Sequence, residues 1–314
     1  MNEFDLIRRY FTHSAPAAVL GVGDDAAILR PTAGHDLHVS ADMLVSGRHF
    51  FADVDPEALG HKTLAVNLSD MAAMGATPRW ALLTLALPQL DEDWVAAFAR
   101  GFFALAAEHG VSVVGGDTTR GPLTLSVTIM GETPQGQGLR RDGARAGDDI
   151  WVSGQLGLAA AALQQRLGKL PDIALPADCL CQLERPQPRV ALGQQLLGIA
   201  HAALDVSDGF AADLSHILAR SHCGAEVWLD ALPTHPALQP HRASLLSCIA
   251  AGGDDYELCF TAAPERAAEV EAAAVVAGVG VHKVGRITTA PGLSLLAADG
   301  GQVQLERLGY DHFN

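Results

Sequence analysis

From Leu123 to Ile129, apolar and hydroxyl side chains alternate without a break: Leu123, Leu125, Val127 and Ile129 interleave with Thr124, Ser126 and Thr128. A period of two is the signature of a half-buried β-strand, one face in a core and the other toward solvent or a partner. The chain must therefore build a sheet, and an open face of Thr and Ser is suited to pairing subunits. Apolar runs at Leu37 to Ser40, Ala81 to Leu87 and Val111 to Val114 read as further strands. Helices intervene. Asp55-Pro56 has the cap-then-proline signature of a helix start and Gly75 supplies a stop, which places Asn67 and Asp70 on one helical face. A second helix follows Asp91, with Trp94, Phe98, Phe102 and Leu105 at core spacing and Gly110 beyond its end.

The chain has 314 residues, 49% of them hydrophobic, which suggests two domains. From Gly136 to Asp148 the sequence is polar and aperiodic, rich in Gly, Arg and Asp, and the boundary is placed there: residues 1–146 form an N-terminal domain and residues 147–314 a C-terminal one. In the second, strand-like runs at Ile150 to Val152, Ile199 to Val206, Glu226 to Leu229, Glu257 to Phe260 and Val281 to Ile287 alternate with helical patterns. The small-residue helices are Ala159 to Ala162 and Ala267 to Ala277. This alternation predicts a second α/β unit.

Acidic residues outnumber Lys and Arg by 36 to 21, so the surface field repels nucleic acid and anionic membrane. No apolar run reaches the roughly 18 residues that a membrane-spanning helix needs. The segment from Met1 to Ala18 lacks the basic-then-apolar order of a signal peptide. Cys179, Cys181, Cys223, Cys248 and Cys259 are odd in number and form no zinc-type pairs, so they read as packing thiols in a reducing compartment, the cytoplasm.

Acidic clusters carry the chemistry. They are G-V-G-D-D (Gly21 to Asp25), S-A-D (Ser40 to Asp42), N-L-S-D (Asn67 to Asp70), G-G-D-T-T (Gly115 to Thr119), D-V-S-D-G (Asp205 to Gly209) and G-G-D-D-Y-E (Gly252 to Glu257), each expected where a strand ends or a helix begins. Any one of them reads equally as turn or cap chemistry. Together they offer carboxylates, hydroxyls and carbonyls, the donors that hard cations prefer, and so point to Mg²⁺ rather than zinc. Several carboxylates brought together without cations raise one another's pKa, whereas Mg²⁺ neutralises them and presents positive charge to polyphosphate. Neither a G-x-x-x-x-G-K-[ST] loop nor an H-R-D and D-F-G set is present, so metal ions must do more of the phosphate holding. Arg120, Arg140, Arg141 and Arg145 are the basic residues placed to help, Arg141 being the expected phosphate contact.

Taken in order, these segments resemble the thiamine-monophosphate kinases, within the superfamily of aminoimidazole ribonucleotide synthetase and selenophosphate synthetase. The similarity runs from Glu3 to Phe313. It rests on E-F-D-L-I (Glu3 to Ile7), V-G-D-D-A-A (Val22 to Ala27), L-A-V-N-L-S-D-M-A-A-M-G-A (Leu64 to Ala76), V-G-G-D-T-T-R-G-P-L (Val114 to Leu123), D-V-S-D-G, G-G-D-D-Y-E-L and the ending G-Y-D-H-F (Gly309 to Phe313). The Asn67 helix and the tail distinguish this kinase from its relatives.

The resemblance implies a two-domain α/β (α+β) protein of the aminoimidazole ribonucleotide synthetase-like fold, a homodimer paired through its N-terminal sheet, that moves the γ-phosphate of ATP onto thiamine phosphate. Several Mg²⁺ ions would be held by Asp25, Ser40, Ala41 (through its carbonyl), Asp42, Asp70, Asp117, Asp205 and Asp208, with Asp42, Asp70 and Asp117 acting in catalysis through them. Gly116, Asp117, Arg141 and Ser207 would meet ATP, and His49, Asp254 and Tyr310 thiamine phosphate. Two departures stand out: Ala41 replaces the Thr of many relatives, and Asp254 the Glu of some. Two rival readings are an amidine-forming ribonucleotide synthetase and a non-catalytic Mg-nucleotide-binding module.

Overall fold

The computed structural model describes residues 3–170 and 173–313; Met1 and Asn2 of the N-terminal segment read above lie outside them. The chain forms two compact units, one comprising the chain up to Met71 with Ala76–Gly136, the other Ala72–Gly75 with Gln137 onward.

The first unit contains a short helix α1 (Glu3–Leu6), then β1 (His35–Val45), α2 (Pro56–Ala73), β2 (Thr77–Leu87), α3 (Glu92–Glu108), β3 (Ser112–Arg120) and β4 (Thr124–Pro134). Its four-stranded sheet has the order β1-β4-β2-β3, antiparallel except for the β2/β3 pair. The alternation in β4 works as read: Leu125, Val127 and Ile129 are fully buried while Thr124, Ser126 and Thr128 are only partly covered. Asp55 caps α2 as expected, accepting from the Ala58 N–H at 3.1 Å, and Asp91 caps α3 through the N–H groups of Asp93 and Trp94. Phe98, Phe102 and Leu105 are buried; Trp94 at the start of that stripe is half-buried and stacks on Phe98 at 5.3 Å.

The two helices touch backbone to backbone. A Cβ on Gly60 would overlap the carbonyl oxygen of Phe98, and one on Gly101 the carbonyl oxygen of Glu57, so both glycines are required by the approach of α2 to α3.

Of the six acidic clusters only Asp205 to Gly209 lies where a strand ends and a helix begins; Asn67 to Asp70 is inside α2, Gly21 to Asp25 is outside any helix or strand, and Gly252 to Glu257 runs from a helix end to a strand start. Ser40 to Asp42 and Gly115 to Thr119 sit inside strands β1 and β3, not at their ends. Non-local pairing is the reason: Gly115–Thr119 pairs residue by residue with Leu82–Ala86, after a register shift at Ala81, and this ladder overrides the turn preference of Gly and Asp.

The second unit is built from β5 (Asp149–Ser153), α4 (Leu158–Arg166), α5 (Ala177–Glu184), α6 (Val190–Gln195), β6 (Ala202–Val206), α7 (Phe210–Ser221), β7 (Gly224–Trp228), α8 (Leu246–Ala251), β8 (Glu257–Ala262), α9 (Ala267–Ala277), β9 (Val281–Thr288), β10 (Gly292–Leu296) and β11 (Gln302–Val303). The sheet order is β11-β10-β7-β9-β5-β8-β6, mostly antiparallel. Every residue of β5, β6 and β8 is buried. Edge strand β6 is closed off by the Arg140 carbonyl, which accepts the Ala203 N–H at 3.0 Å. The strand anticipated from Ile199 begins only at Ala202, and β10 and β11 had no sequence signal strong enough to read.

The described cysteines are all free thiols. Burial pushes Cys179 and Cys248 up to about 11. Cys181 departs from the packing expectation and is exposed, because on α5 it lies opposite the buried Cys179 and Leu183.

In an exposed helix, Gly→Ala stabilises by up to about 1 kcal/mol. At Gly101 we expect the opposite sign: Gly101→Ala should destabilise the protein by about 1–3 kcal/mol through overpacking against Glu57. Chemical denaturation of the pair reads it directly, and a stabilised variant would refute the close-contact argument.

Candidate active site

In the first unit, β1 alternates. Leu37, Val39 and Met43 are exposed, whereas Ser40 and Asp42 are half-buried and Leu44 is buried. The Ser40 hydroxyl donates to Asp70 Oδ2 on α2 at 2.6 Å. Asp42 is clamped at both ends of its own residue: its N–H donates to Asn67 Oδ1 at 3.0 Å, and its carbonyl accepts from the Ser126 hydroxyl at 3.0 Å. Asn67 and Asp70, one helical turn apart, thus anchor the middle of β1 to α2. Ala41, by the strand's alternation, turns its methyl to the exposed face.

His49 follows in a tight turn. Its Nδ1 accepts the Val45 N–H at 2.9 Å, which leaves the ring proton of the neutral form on Nε2; its carbonyl accepts from the buried Lys62 ammonium at 3.3 Å. Gly116 has φ +150°, and a Cβ there would overlap the Leu83 carbonyl, so no other residue fits this strand position. Asp117 follows, exposed and paired in register with Thr84. Asp25 is exposed in its own loop, where its N–H donates to Asp24 Oδ1 at 2.9 Å. Beyond Asp117, Thr118, Thr119 and Arg120 line an open cavity of about 510 Å³ whose apolar wall includes Leu6, Leu87 and Leu90.

In the second unit, the structure gathers three segments that lie far apart in sequence. Asp205, next to last in β6, is almost fully buried, and after Val206 the chain turns through Ser207, Asp208 and Gly209 into α7. The Ser207 carbonyl accepts the Asp254 N–H at 2.9 Å, and the Asp208 carbonyl accepts the Tyr310 N–H at 2.8 Å. Asp205, Ser207, Asp208, Asp254 and Tyr310 are thereby held around one turn. Asp254 sits at φ +65° and its carboxylate accepts from the Tyr256 hydroxyl at 3.0 Å. Tyr310 is 49% exposed and packs edge-on against His312 at 4.9 Å. Arg141 is exposed in the segment before β5, its carbonyl accepting from the Ser221 hydroxyl; the neighbouring Arg140 is committed to Asp142.

Other acids in the clusters are structural. Glu257 is buried in a two-pronged ion pair with Arg189, at 2.7 and 2.5 Å, and also accepts from Ser153. Asp255 is fully buried, its Oδ2 accepting the Gly157 N–H before α4 at 2.8 Å; burial pushes its carboxyl well above the usual range. Sequence reading missed Asp213. Its Oδ2 accepts from the N–H groups of Ser207, Asp208 and Gly209 at 3.1, 3.1 and 3.0 Å. Burial pushes this carboxyl up to about 7, opposed by those three donors. The available signal was an acid in the first turn of a helix that opens after Gly209.

Among the described residues, no three His, Cys, Asp or Glu side chains are gathered closely enough to hold a metal ion by themselves. The donors present are carboxylates, hydroxyls and carbonyls in ones and twos. That pattern suits Mg²⁺, which takes one or two carboxylates and completes its shell with water and phosphate oxygens.

Family models agree with this architecture: that of the AIR synthase related protein N-terminal domain matches residues 23–133, and that of the C-terminal domain residues 145–297. The fold and its acidic segments therefore define a two-domain protein of the AIR synthase related class. The thiamine-monophosphate kinase of Escherichia coli (strain K12) is 43% identical over 99% of this chain and 98% of its own. A crystal structure of the enzyme from Stenotrophomonas maltophilia K279a superposes with a TM-score of 0.84 at 50% identity, over 92% of this chain and 93% of that one. AaThiL complexed with AMPPCP and TMP has a TM-score of 0.78 at 30% identity, over 99% and 96%. Within the class, the chain belongs to the thiamine-monophosphate kinases.

Proposed function

We propose that this chain transfers the γ-phosphate of ATP directly and in line to the phosphate of thiamine phosphate, giving thiamine diphosphate and ADP. The observation that carries the reading is the turn at Ser207 to Gly209, whose carbonyls tie the Asp254 loop and the Tyr310 tail to the residues expected to meet metal and nucleotide. Full-length similarity to kinases of this name supports it.

The nucleophile is a phosphate oxygen. A phosphate monoester has a second pKa of about 6 and is largely dianionic at neutral pH, so no strong base has to remove a proton and no phosphoenzyme is required. The protein's contribution is positioning and charge. His49, its ring fixed by the Val45 N–H on Nδ1, would meet thiamine phosphate. Asp254 offers a carboxylate to the cationic ring system of thiamine, and Tyr310 an aromatic face to the same cation. Gly116, Arg141 and Ser207 meet the nucleotide. Asp25, Ser40, the Ala41 carbonyl, Asp42, Asp70 and Asp117 in the first unit, with Asp205 and Asp208 in the second, would hold Mg²⁺. When bound, Mg²⁺ would supply the positive charge that offsets the repulsion between two phosphate anions.

Among the described residues no helix is long and apolar enough to cross a membrane, and the five unpaired cysteines support a reducing, cytoplasmic setting. A homodimer is supported by the exposed row of Leu37, Val39 and Met43 on edge strand β1, 45%, 60% and 56% accessible, continuous with the Ser and Thr face of β4.

Steady-state ATP consumption with thiamine phosphate, thiamine or formylglycinamidine ribonucleotide, each with Mg²⁺ or excess EDTA, tests the reaction. Only thiamine phosphate with Mg²⁺ should yield ADP and thiamine diphosphate; turnover with another acceptor and none with thiamine phosphate would reject the assignment. Asp42→Asn should lower kcat by about 10²-fold or more, on the scale of losing a group that stabilises transition-state charge. Tyr310→Ala should instead raise KM for thiamine phosphate by roughly tenfold, on the cation–π scale, with kcat within about twofold. Near-normal turnover by Asp42→Asn would remove it from the metal set. Val39→Asp should halve the native mass in sedimentation; a wild-type protein that sediments as a monomer would rule out the dimer.

A further inference from the structure

The turn that joins β6 to α7 uses all its main-chain polar groups internally. Three consecutive N–H groups, of Ser207, Asp208 and Gly209, converge on one oxygen of Asp213, while the carbonyls of Ser207 and Asp208 are taken by Asp254 and Tyr310. The start of a helix normally offers such N–H groups to phosphate. Here a carboxylate of the same helix, 5% exposed, already fills that position. What the turn has left to present is side chains: the Ser207 hydroxyl and the Asp208 carboxylate, near Asp205, next to last in β6. Anionic phosphate finds the N–H groups of Ser207, Asp208 and Gly209 already taken, and a cation is the remaining means by which this turn can hold it.

We propose that Asp213 is a positioning residue that makes this turn cation-dependent: it withdraws the amides at the start of α7 from phosphate and fixes the orientation in which Asp205, Ser207 and Asp208 face Mg²⁺ and nucleotide. The inference rests on the kinase reading for the identity of the ligand but not on turnover. Its geometry is independent of the roles assigned to β1 and α2 in the first unit. Removing the charge frees or weakens three amide contacts and loosens the turn, without touching a group that meets the reacting atoms.

Binding of a non-hydrolysable ATP analogue, titrated calorimetrically at a series of Mg²⁺ concentrations, tests this without needing catalysis. In Asp213→Asn the Mg²⁺ concentration for half-maximal nucleotide binding should rise about tenfold, and binding in EDTA should strengthen relative to wild type as amides become available. Asp213→Glu, which restores the carboxylate, should return the Mg²⁺ requirement to within about threefold of wild type, and serves also if the Asn variant fails to fold. Val270→Ala, a buried α9 change far from the turn in sequence, controls for destabilisation: its thermal midpoint should fall while its Mg²⁺ requirement stays put. An unchanged Mg²⁺ requirement in folded Asp213→Asn, an equal rise in Val270→Ala, or a folded Glu variant that is not restored would each overturn the proposal. Wild-type protein that binds the analogue with Mg²⁺ yet never phosphorylates thiamine phosphate would reject the kinase reading and leave this one standing.

Discussion

A carboxylate that must stay ionised and oriented while waiting for a cation has to be held by something other than its neighbours, since like charges drive one another apart. Two of the residues proposed above as Mg²⁺ ligands are held in this protein by main-chain hydrogen bonds. Asp42 is fixed by bonds to its own N–H and carbonyl from Asn67 and Ser126. Asp208 is fixed by its N–H on Asp213 and its carbonyl on Tyr310. In both residues the main chain is thereby fixed independently of the side chain. Strand β1 in the first unit and the turn after β6 in the second are each held in register within their own unit, by the buried residues of β4 and of β8 respectively.

The acids divide by burial and partner into two sets with different physics. Glu257 is expensive to bury alone, and its fork with Arg189 plus the Ser153 hydroxyl satisfies it, so it stabilises the second unit only as long as all three remain. Asp255 and Asp213 are pushed upward by burial, and each uses its Oδ2 to accept from backbone amides at the start of a helix. Asp25 and Asp117, by contrast, are exposed, and Asp254 is half-buried in its loop. One run of residues, Asp254 to Glu257, holds a candidate ligand contact, a buried cap and half of an ion pair.

That division could not be read from the sequence, because neighbouring letters share composition and differ only in which way the chain turns at φ +65° of Asp254 and φ +50° of Tyr256. What was legible is local: the β4 alternation, the Asp55 and Asp91 caps, the Phe98 and Phe102 stripe, and the small-residue helix at Ala267–Ala277. What was not legible is non-local. Gly115 and Gly116 look like a turn until β2 lies beside them, and Asp213 looks like a solvated helix acid until the preceding turn folds back onto it.

The Ala41 substitution follows the same logic. On a strand, successive side chains leave opposite faces, so residue 41 cannot share the face on which Ser40 reaches Asp70. Replacing a hydroxyl residue there removes no side-chain donor from the Asp42 and Asp70 side; the carbonyl, common to every residue, is unaffected. A reaction whose nucleophile arrives already deprotonated asks for charge and placement, and the backbone supplies placement whatever the side chain. Asp213 and Asp255, the carboxyls that burial pushes up, are bonded to backbone amides and are not among the residues expected to touch the transferring phosphate.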